Sequence, residues 1–241
     1  MYPSKHDLIL LSGGLGTRLR EVIGENQKVI ANVDGVPFLV LLLQYAYKQG
    51  FRRVILALGY HADHVMQIIE HSDLPEDLEV IFSVETTRLG TAGAIRLASQ
   101  YIKSKTVFVQ NGDSFCDIDY QKMLEHHNAK DADVTIAVSH ANDRKDVGMI
   151  QLDQCSNIIS FSEKENLIDG LYESSGIYIM NQSAINIIPL NEKSSIEEDF
   201  FAKKVFKRFI GYVSMSKAFD IGIKARFEKA QSVLSFGSLE V

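Results

Sequence analysis

The residue types best suited to chemistry stand close together near the start of the chain. In Leu8-Ile9-Leu10-Leu11-Ser12-Gly13-Gly14-Leu15-Gly16-Thr17-Arg18-Leu19-Arg20 an apolar run of strand length breaks into glycines, and a threonine and two arginines follow. A strand ending in such a turn frees backbone N–H groups and lets a ligand approach the main chain closely. Arg18 adds a planar cation matched to phosphate oxygens. The stretch predicts a polyphosphate cradle at the carboxyl end of a buried strand. Taken alone, a plain glycine-rich connection accounts for it equally well. Two sharper motifs do not fit. A P-loop needs a Gly-Lys pair, which the chain lacks. A dinucleotide fingerprint needs a third glycine where Leu19 stands, so the helix could not pack closely on its strand.

Two aspartates are the second feature. Asp113 follows an apolar run and the pair Asn111-Gly112, and Asp220 lies in Phe219-Asp220-Ile221-Gly222. Both sit just past apolar segments, where open α/β sheets gather their site residues. Brought together, two carboxylates would seat a hard divalent cation that keeps water and phosphate oxygens as its other ligands. Each aspartate alone is more simply a turn or cap residue. The pairs His61/His64 and His126/His127 lack the ligand number of a zinc site and read as solvated helix-surface histidines. No GxSxG elbow, HExxH helix or cysteine–histidine pairing supports hydrolytic nucleophile chemistry.

The elements that must position these residues alternate. Strands are predicted at Leu8–Leu11, Arg53–Leu58, Leu78–Val84, Thr106–Gln110 and Val134–Ser139. Helices lie between them: one with Pro37 at its first position and Gly50 as its stop, one over His61–His71, one over Thr91–Ile102, and one capped by Asp119 and running to about Asn128. Apolar strands alternating with helices indicate a mostly parallel sheet covered on both faces. From Val147 the rhythm changes. Gly148–Leu152 and Ile158–Phe161 predict a hairpin, and Gly176–Met180 and Phe209–Val213 predict further strands. Ser195-Ile196-Glu197-Glu198 is a capping-box pattern ahead of Phe200–Phe206, and Ile223–Leu234 reads as a closing helix.

Composition narrows the function classes. The 241 residues suit one domain or two small ones, and a single α/β domain with a mixed-sheet second half is the economical reading. The formal net charge of −6 argues against broad nucleic-acid binding. Cys116 and Cys155 are too few for a disulfide framework and fit a reduced cytoplasmic setting. No signal peptide and no apolar run of ~18 residues is seen, so no membrane span is expected.

Taken together the motifs resemble the sugar-1-phosphate nucleotidyltransferases. The matching segments are LSGGLGTRLR, the Lys28 segment, PFL at 37–39, LGTAGAI at 89–95, NGDSF at 111–115, FSEK at 161–164, SSGIY at 174–178 and FDIG at 219–222. They run in the family's order over nearly the whole chain. The resemblance implies a Rossmann-like α/β/α sandwich with a mixed, mostly parallel sheet. About 1–140 would serve the nucleotide and about 141–241 the sugar phosphate. It implies that Leu11, Gly13 and Gly14 hold base and ribose, and that Gly16, Thr17 and Arg18 grip the triphosphate. Gly90 and Thr91 would line the nucleotide site. Lys28 would contact phosphate at the reacting centre, and Asp113 and Asp220 would share Mg²⁺. Gly148, Glu163, Lys164 and Ser174 would meet the sugar phosphate, Lys164 at its phosphate and Glu163 at ring hydroxyls. Two departures stand out. The family usually frames its lysine as Pro-Lys-Pro, whereas Gln27 and Val29 flank Lys28. Ser174 and Ser175 stand where asparagine or glutamate usually precedes the glycine.

Glu85 lies just before LGTAGAI, where the family reads the base. A carboxylate only accepts hydrogen bonds, and guanine offers two adjacent donors, so GTP is predicted. The runs NGDSFCDID and FDIGIKARFEKAQ resemble the guanylyl members of the family that use a heptose 1-phosphate, with mannose 1-phosphate as the rival sugar and uridylyl or cytidylyl transfer behind it. A nucleotide-sugar-binding regulator and a dehydrogenase are the readings from other classes. Self-association is compatible with all of them.

Overall fold

The computed structural model describes residues 3–14, 28–141, 147–163 and 172–233. Strand β1 (Asp7–Leu11) lies at the centre of a nine-stranded sheet, parallel to β4 (Arg53–Leu58) on one side and to β6 (Thr106–Asn111) on the other. Beyond β4 lies β5 (Glu79–Val84), also parallel. Beyond β6 the sheet becomes mixed. There β11 (Tyr172–Asn181) runs antiparallel to both β6 and β8 (Val134–His140), and β12 (Phe209–Val213) closes that edge parallel to β8. The hairpin of β9 (Gly148–Leu152) and β10 (Ile158–Glu163) joins the first residues of β11. Two small ribbons stand apart: β2 (Asn32–Val33) with β3 (Val36–Pro37), and β7 (Ser114–Phe115) with β13 (Phe219–Asp220).

Alternation along β1 explains the layering. Leu8 and Leu10 face one way, onto α1 (Phe38–Lys48), α2 (Ala62–Glu70), α4 (Tyr120–Ala129) and α6 (Lys224–Val233). Ile9 faces the other way, into a second core with α3 (Gly90–Ala98), the short α5 (Gln182–Ile185) and the segment Ile196–Phe201. Strands covered on both faces need apolar side chains at every position, which is why they read as near-continuous apolar runs. The result is the α/β/α sandwich with a mixed, mostly parallel sheet.

Local signals account for several boundaries. The α1 helix stops where Gly50 N–H bonds Tyr47 O at 2.9 Å and Phe51 N–H bonds Ala46 O at 3.0 Å. Asp119 caps α4 by accepting the Lys122 N–H at 2.9 Å. Other expectations need correction. Pro37 is the cap of α1 rather than its first residue, and α3 ends at Ala98 with a 3₁₀ turn to Tyr101. The strand expected at 176–180 begins at Tyr172, because an irregularity between Ser174 and Tyr178 hides its continuity. The capping box is only half present. Ser195 Oγ accepts the Glu198 N–H, but Asp199 returns the bond to Ser195 N–H at 2.9 Å. The helix that follows is one wide π turn, closed by Ala202 N–H to Glu197 O at 2.8 Å. His127 is not a surface residue. It is 2% exposed and bonds Thr135 Oγ1 at 2.7 Å. His126 is half-buried against Tyr212. Among the described residues no helix is long and apolar enough to cross a membrane.

Candidate active site

The order β6-β1-β4 contains a switch point. After β1 the chain moves outward to β4 and β5, then returns to β6 on the other side of β1. Adjacent chains leave the carboxyl ends of β1 and β6 in opposite directions, and the crevice between them is where open α/β sheets bind ligands. The glycine-rich bend and Asp113 both come from those two strand ends. Ser12 N–H bonds Ala57 O at 2.8 Å, and Gly112 N–H bonds Leu11 O at 2.9 Å. A Cβ on Gly112 would stand 2.9 Å from Leu11 O, so only glycine lets the two strand ends meet this closely.

Two adjoining cavities open from this crevice. The first, of about 310 Å³, is lined by Leu11, Gly13, Gly14, Glu85, Arg88, Gly90 and Thr91. Glu85 is anchored there: its N–H bonds Leu58 O at 2.9 Å, and its Oε2 accepts the Leu89 N–H at 3.0 Å. Burial pushes the Glu85 carboxyl above its ordinary value, against the opposing pull of the Leu89 N–H and the Arg88 charge. Gly90 has φ +71°, and a Cβ there would meet Ser194 O at 2.4 Å. Glycine there lets the start of α3 lie against the 194–197 segment, where Ala92 N–H bonds Ser194 O.

The second cavity, of about 160 Å³, holds Asp113, Asp220, Gly148, Phe161, Ser174 and Arg226. The ribbon of β7 and β13 brings the two aspartates together. Asp220 pairs across from Ser114, and Ile221 N–H bonds Asp113 O at 3.0 Å. Each carboxylate carries a cation from another element. Lys28 Nζ is bonded to Asp113 Oδ2, and Arg226 Nε stands 3.0 Å from Asp220 Oδ1. Asp220 Oδ1 also accepts the Gly222 N–H at 2.7 Å.

Lys28, Asn111, Asp113 and Glu197 line both cavities and form the seam between them. Glu197 ties three segments together, accepting from Thr91 Oγ1 at 2.8 Å, Ser195 Oγ at 3.0 Å and Tyr178 OH at 3.3 Å. A ligand in the first cavity and one in the second would therefore meet beside Lys28 and Asp113.

The structure places Leu11, Gly13, Gly14, Glu85, Gly90 and Thr91 around one cavity, and Asp113, Asp220, Gly148 and Ser174 around the other. Lys28 stands between them. Gly16, Thr17, Arg18 and Lys164 lie outside the described residues, and of Glu163 only the backbone is described, opposite Gly148. Sequence reasoning missed Glu197 and Arg226. Glu197 was hidden inside a capping pattern. Arg226 follows Asp220 in the chain, but no local spacing shows that the turn at 221–223 folds its side chain back onto that carboxylate.

A family model for nucleotidyl transferases matches residues 8–232 of this chain. The D-glycero-alpha-D-manno-heptose 1-phosphate guanylyltransferase of Aneurinibacillus thermoaerophilus is 35% identical over 229 residues, covering 95% of this chain and 98% of that protein. The mannose-1-phosphate guanylyltransferase catalytic subunit beta of Drosophila melanogaster is 31% identical over 195 residues, 80% of this chain and 53% of its own length. Among solved structures, HddC from Yersinia pseudotuberculosis complexed with GMP-PN superimposes with a TM-score of 0.81 at 34% identity, covering 94% of this chain and 98% of that one.

Proposed function

The chain belongs to the nucleotidyl transferase family, and from that membership we propose that it is a guanylyltransferase joining GTP to a sugar 1-phosphate. The sugar is D-glycero-α-D-manno-heptose 1-phosphate, the products are the GDP-sugar and pyrophosphate, and the setting is the cytoplasm. The observation that carries the reading is the seam. Two cavities of different character share Lys28, Asn111, Asp113 and Glu197, so two ligands can meet at one reacting centre. The relative named for the same heptose phosphate, matched over 98% of its length, supports the choice of sugar.

The chemistry asks for position and charge rather than proton transfer. A sugar phosphate is already ionised near neutral pH, so its oxygen attacks the α-phosphorus without a general base. The new P–O bond forms as the bond to the β-phosphate oxygen breaks, and pyrophosphate leaves with the electron pair. The first cavity would hold the base against Glu85 and the ribose against Leu11, Gly13 and Gly14. The second would hold the sugar phosphate against Gly148 and Ser174, and Lys28 would face the phosphates at the seam. Holding both partners in line converts a bimolecular encounter into a step within one complex. Positive charge fixed at the seam then stabilises the transition state without reorganising at the moment of reaction.

A divalent ion, Mg²⁺, is part of this reading, and the donors fit it. Asp113, just before β7, and Asp220, in the β13 strand paired with it, offer hard oxygen ligands, and each already holds a cation. Among the described residues no group of three or more His, Cys, Asp and Glu gathers into a cage. That suits an ion which keeps water and phosphate oxygens in its shell. When bound, it would supply further positive charge against the phosphate oxygens. Asp113 and Asp220 would hold it, and Lys28 would then be released toward phosphate.

The test is pyrophosphate release from the four nucleoside triphosphates against heptose, mannose and glucose 1-phosphates, with Mg²⁺ and with EDTA. GTP with heptose 1-phosphate should be fastest, and EDTA should abolish turnover. Faster reaction with mannose 1-phosphate would move the assignment to that sugar. No pyrophosphate from any pair would reject the enzyme reading.

A further inference from the structure

The sugar-side cavity is crowded with negative charge. Its walls hold the carboxylates Asp113, Glu197 and Asp220, and a sugar 1-phosphate would bring in a dianion. Among its described lining residues the cations are Lys28 and Arg226. Lys28 lines both cavities and must also serve the nucleotide. Arg226 lines the sugar side alone.

Arg226 is placed by the start of α6, where its N–H bonds Ile223 O at 3.1 Å. Its side chain is 21% exposed, and that of Asp220, with Nε 3.0 Å from Oδ1, is 17% exposed. The guanidinium is thus held at the cavity wall by a carboxylate that Gly222 N–H fixes in turn. A guanidinium carries five N–H donors in a rigid fork, enough to serve a carboxylate and a phosphate at once. A phosphate, like a carboxylate, can take two parallel N–H bonds from that fork.

We propose that Arg226 is a substrate-binding residue that grips the phosphate of the sugar 1-phosphate, with Asp220 holding its guanidinium in place in the empty enzyme. The identity of the anion rests on the guanylyltransferase reading. The positive charge on the sugar-side wall does not. Asp220 then has two duties, as a ligand for the divalent ion and as the post on which Arg226 waits. With a divalent ion held by Asp220, that carboxylate would keep a counter-charge while the guanidinium turned to the incoming phosphate. If Arg226 only held Asp220, its removal would disturb the metal site and leave sugar-phosphate affinity untouched.

Arg226→Gln and Arg226→Lys are compared with wild type by steady-state kinetics with GTP and heptose 1-phosphate. A ³¹P NMR titration with inorganic phosphate gives a second readout that needs no turnover. The Gln variant should raise KM for the sugar phosphate about 10- to 100-fold while KM for GTP stays within about twofold. The Lys variant, which keeps the charge but loses the fork, should fall between, and it decides the matter if the Gln variant does not fold. Inorganic phosphate should bind more weakly to both. Unchanged KM for the sugar phosphate in an active series overturns the proposal, as does a fall in kcat alone. If wild type makes no GDP-sugar, the guanylyltransferase reading fails, and the phosphate titration decides separately. Weaker binding to the variants then upholds the anion grip, and equal binding removes it.

Discussion

Replacing Glu85 by glutamine tests how the base is read. The carboxylate spans two environments. Oε2 accepts the Leu89 N–H at 3.0 Å, while Oε1 lies over Gly13 and Gly59, so close that a Cβ on Gly59 would stand 2.7 Å from it. In Glu85→Gln the amide oxygen keeps the Leu89 N–H, because the flipped amide would set donor against donor. The NH₂ group then takes the place of Oε1 in the first cavity. Guanine would meet a donor where its own N1–H and amino group require an acceptor. One charge-assisted hydrogen bond is lost, about 1.5–3 kcal/mol, which is roughly a 10- to 150-fold fall in kcat/KM for GTP. Uracil presents carbonyl oxygens, so UTP should gain. The pH profile gives an independent check. Burial holds the Glu85 carboxyl above its ordinary value of 4.5. As pH falls through that raised value the carboxylate is protonated and loses an acceptor, so kcat/KM for GTP falls on the acid side. In Glu85→Gln this acid limb should disappear. The assay is pyrophosphate release with GTP and UTP in parallel across pH. An unchanged GTP preference in the variant, or a wild type that uses UTP equally well, would refute the argument.

Two predictions concern stability. Gly90→Ala forces a left-handed backbone at φ +71° and pushes on Ser194 O, which accepts the Ala92 N–H at 3.0 Å. The strain of about 1–2 kcal/mol and the loosened hydrogen bond of about 1 kcal/mol together predict a Tm fall of roughly 4–12 °C; a calorimetric Tm within a degree of wild type contradicts this packing. Asp7, 2% exposed, accepts from Ser104 and Lys103 N–H, the Ser104 hydroxyl and Arg53 Nη1. Burial pushes its carboxyl up, but those donors hold it below its ordinary value of 3.8. The stability it contributes is therefore present above 3.8 and is lost as pH falls through the lowered value. Among the described residues, Asp7→Asn leaves Arg53 with Glu79 as its carboxylate partner and should cost about 3 kcal/mol in urea unfolding at pH 7. The acid arm of the wild-type stability curve should flatten in the variant, and a variant with the same acid arm would contradict the assignment.

What the sequence determined by itself is local. Strand limits at Arg53–Leu58, Gly148–Leu152 and Phe209–Val213, the cap at Asp119, the stop at Gly50 and the two-sided core all follow from periodicity and single-residue backbone preferences, which act over a few neighbours. The motifs also located the strand ends that border the crevice. What the tertiary structure decided is which distant groups share a space. Strand β1 lies between β4 and β6, and β13 lies beside β7. Those crossovers put Lys28 against Asp113, set Asp220 opposite Ser114, and place Glu197 within reach of Thr91 and Tyr178. Packing of α4 against β8 and β11 buried His127, whose sequence position suggested a surface. Contacts between groups a hundred residues apart depend on the order and direction of strands in the sheet, and no spacing along the chain records that order. The electrostatics of the candidate site, two aspartates each balanced by a cation from another element, is therefore a property of the fold.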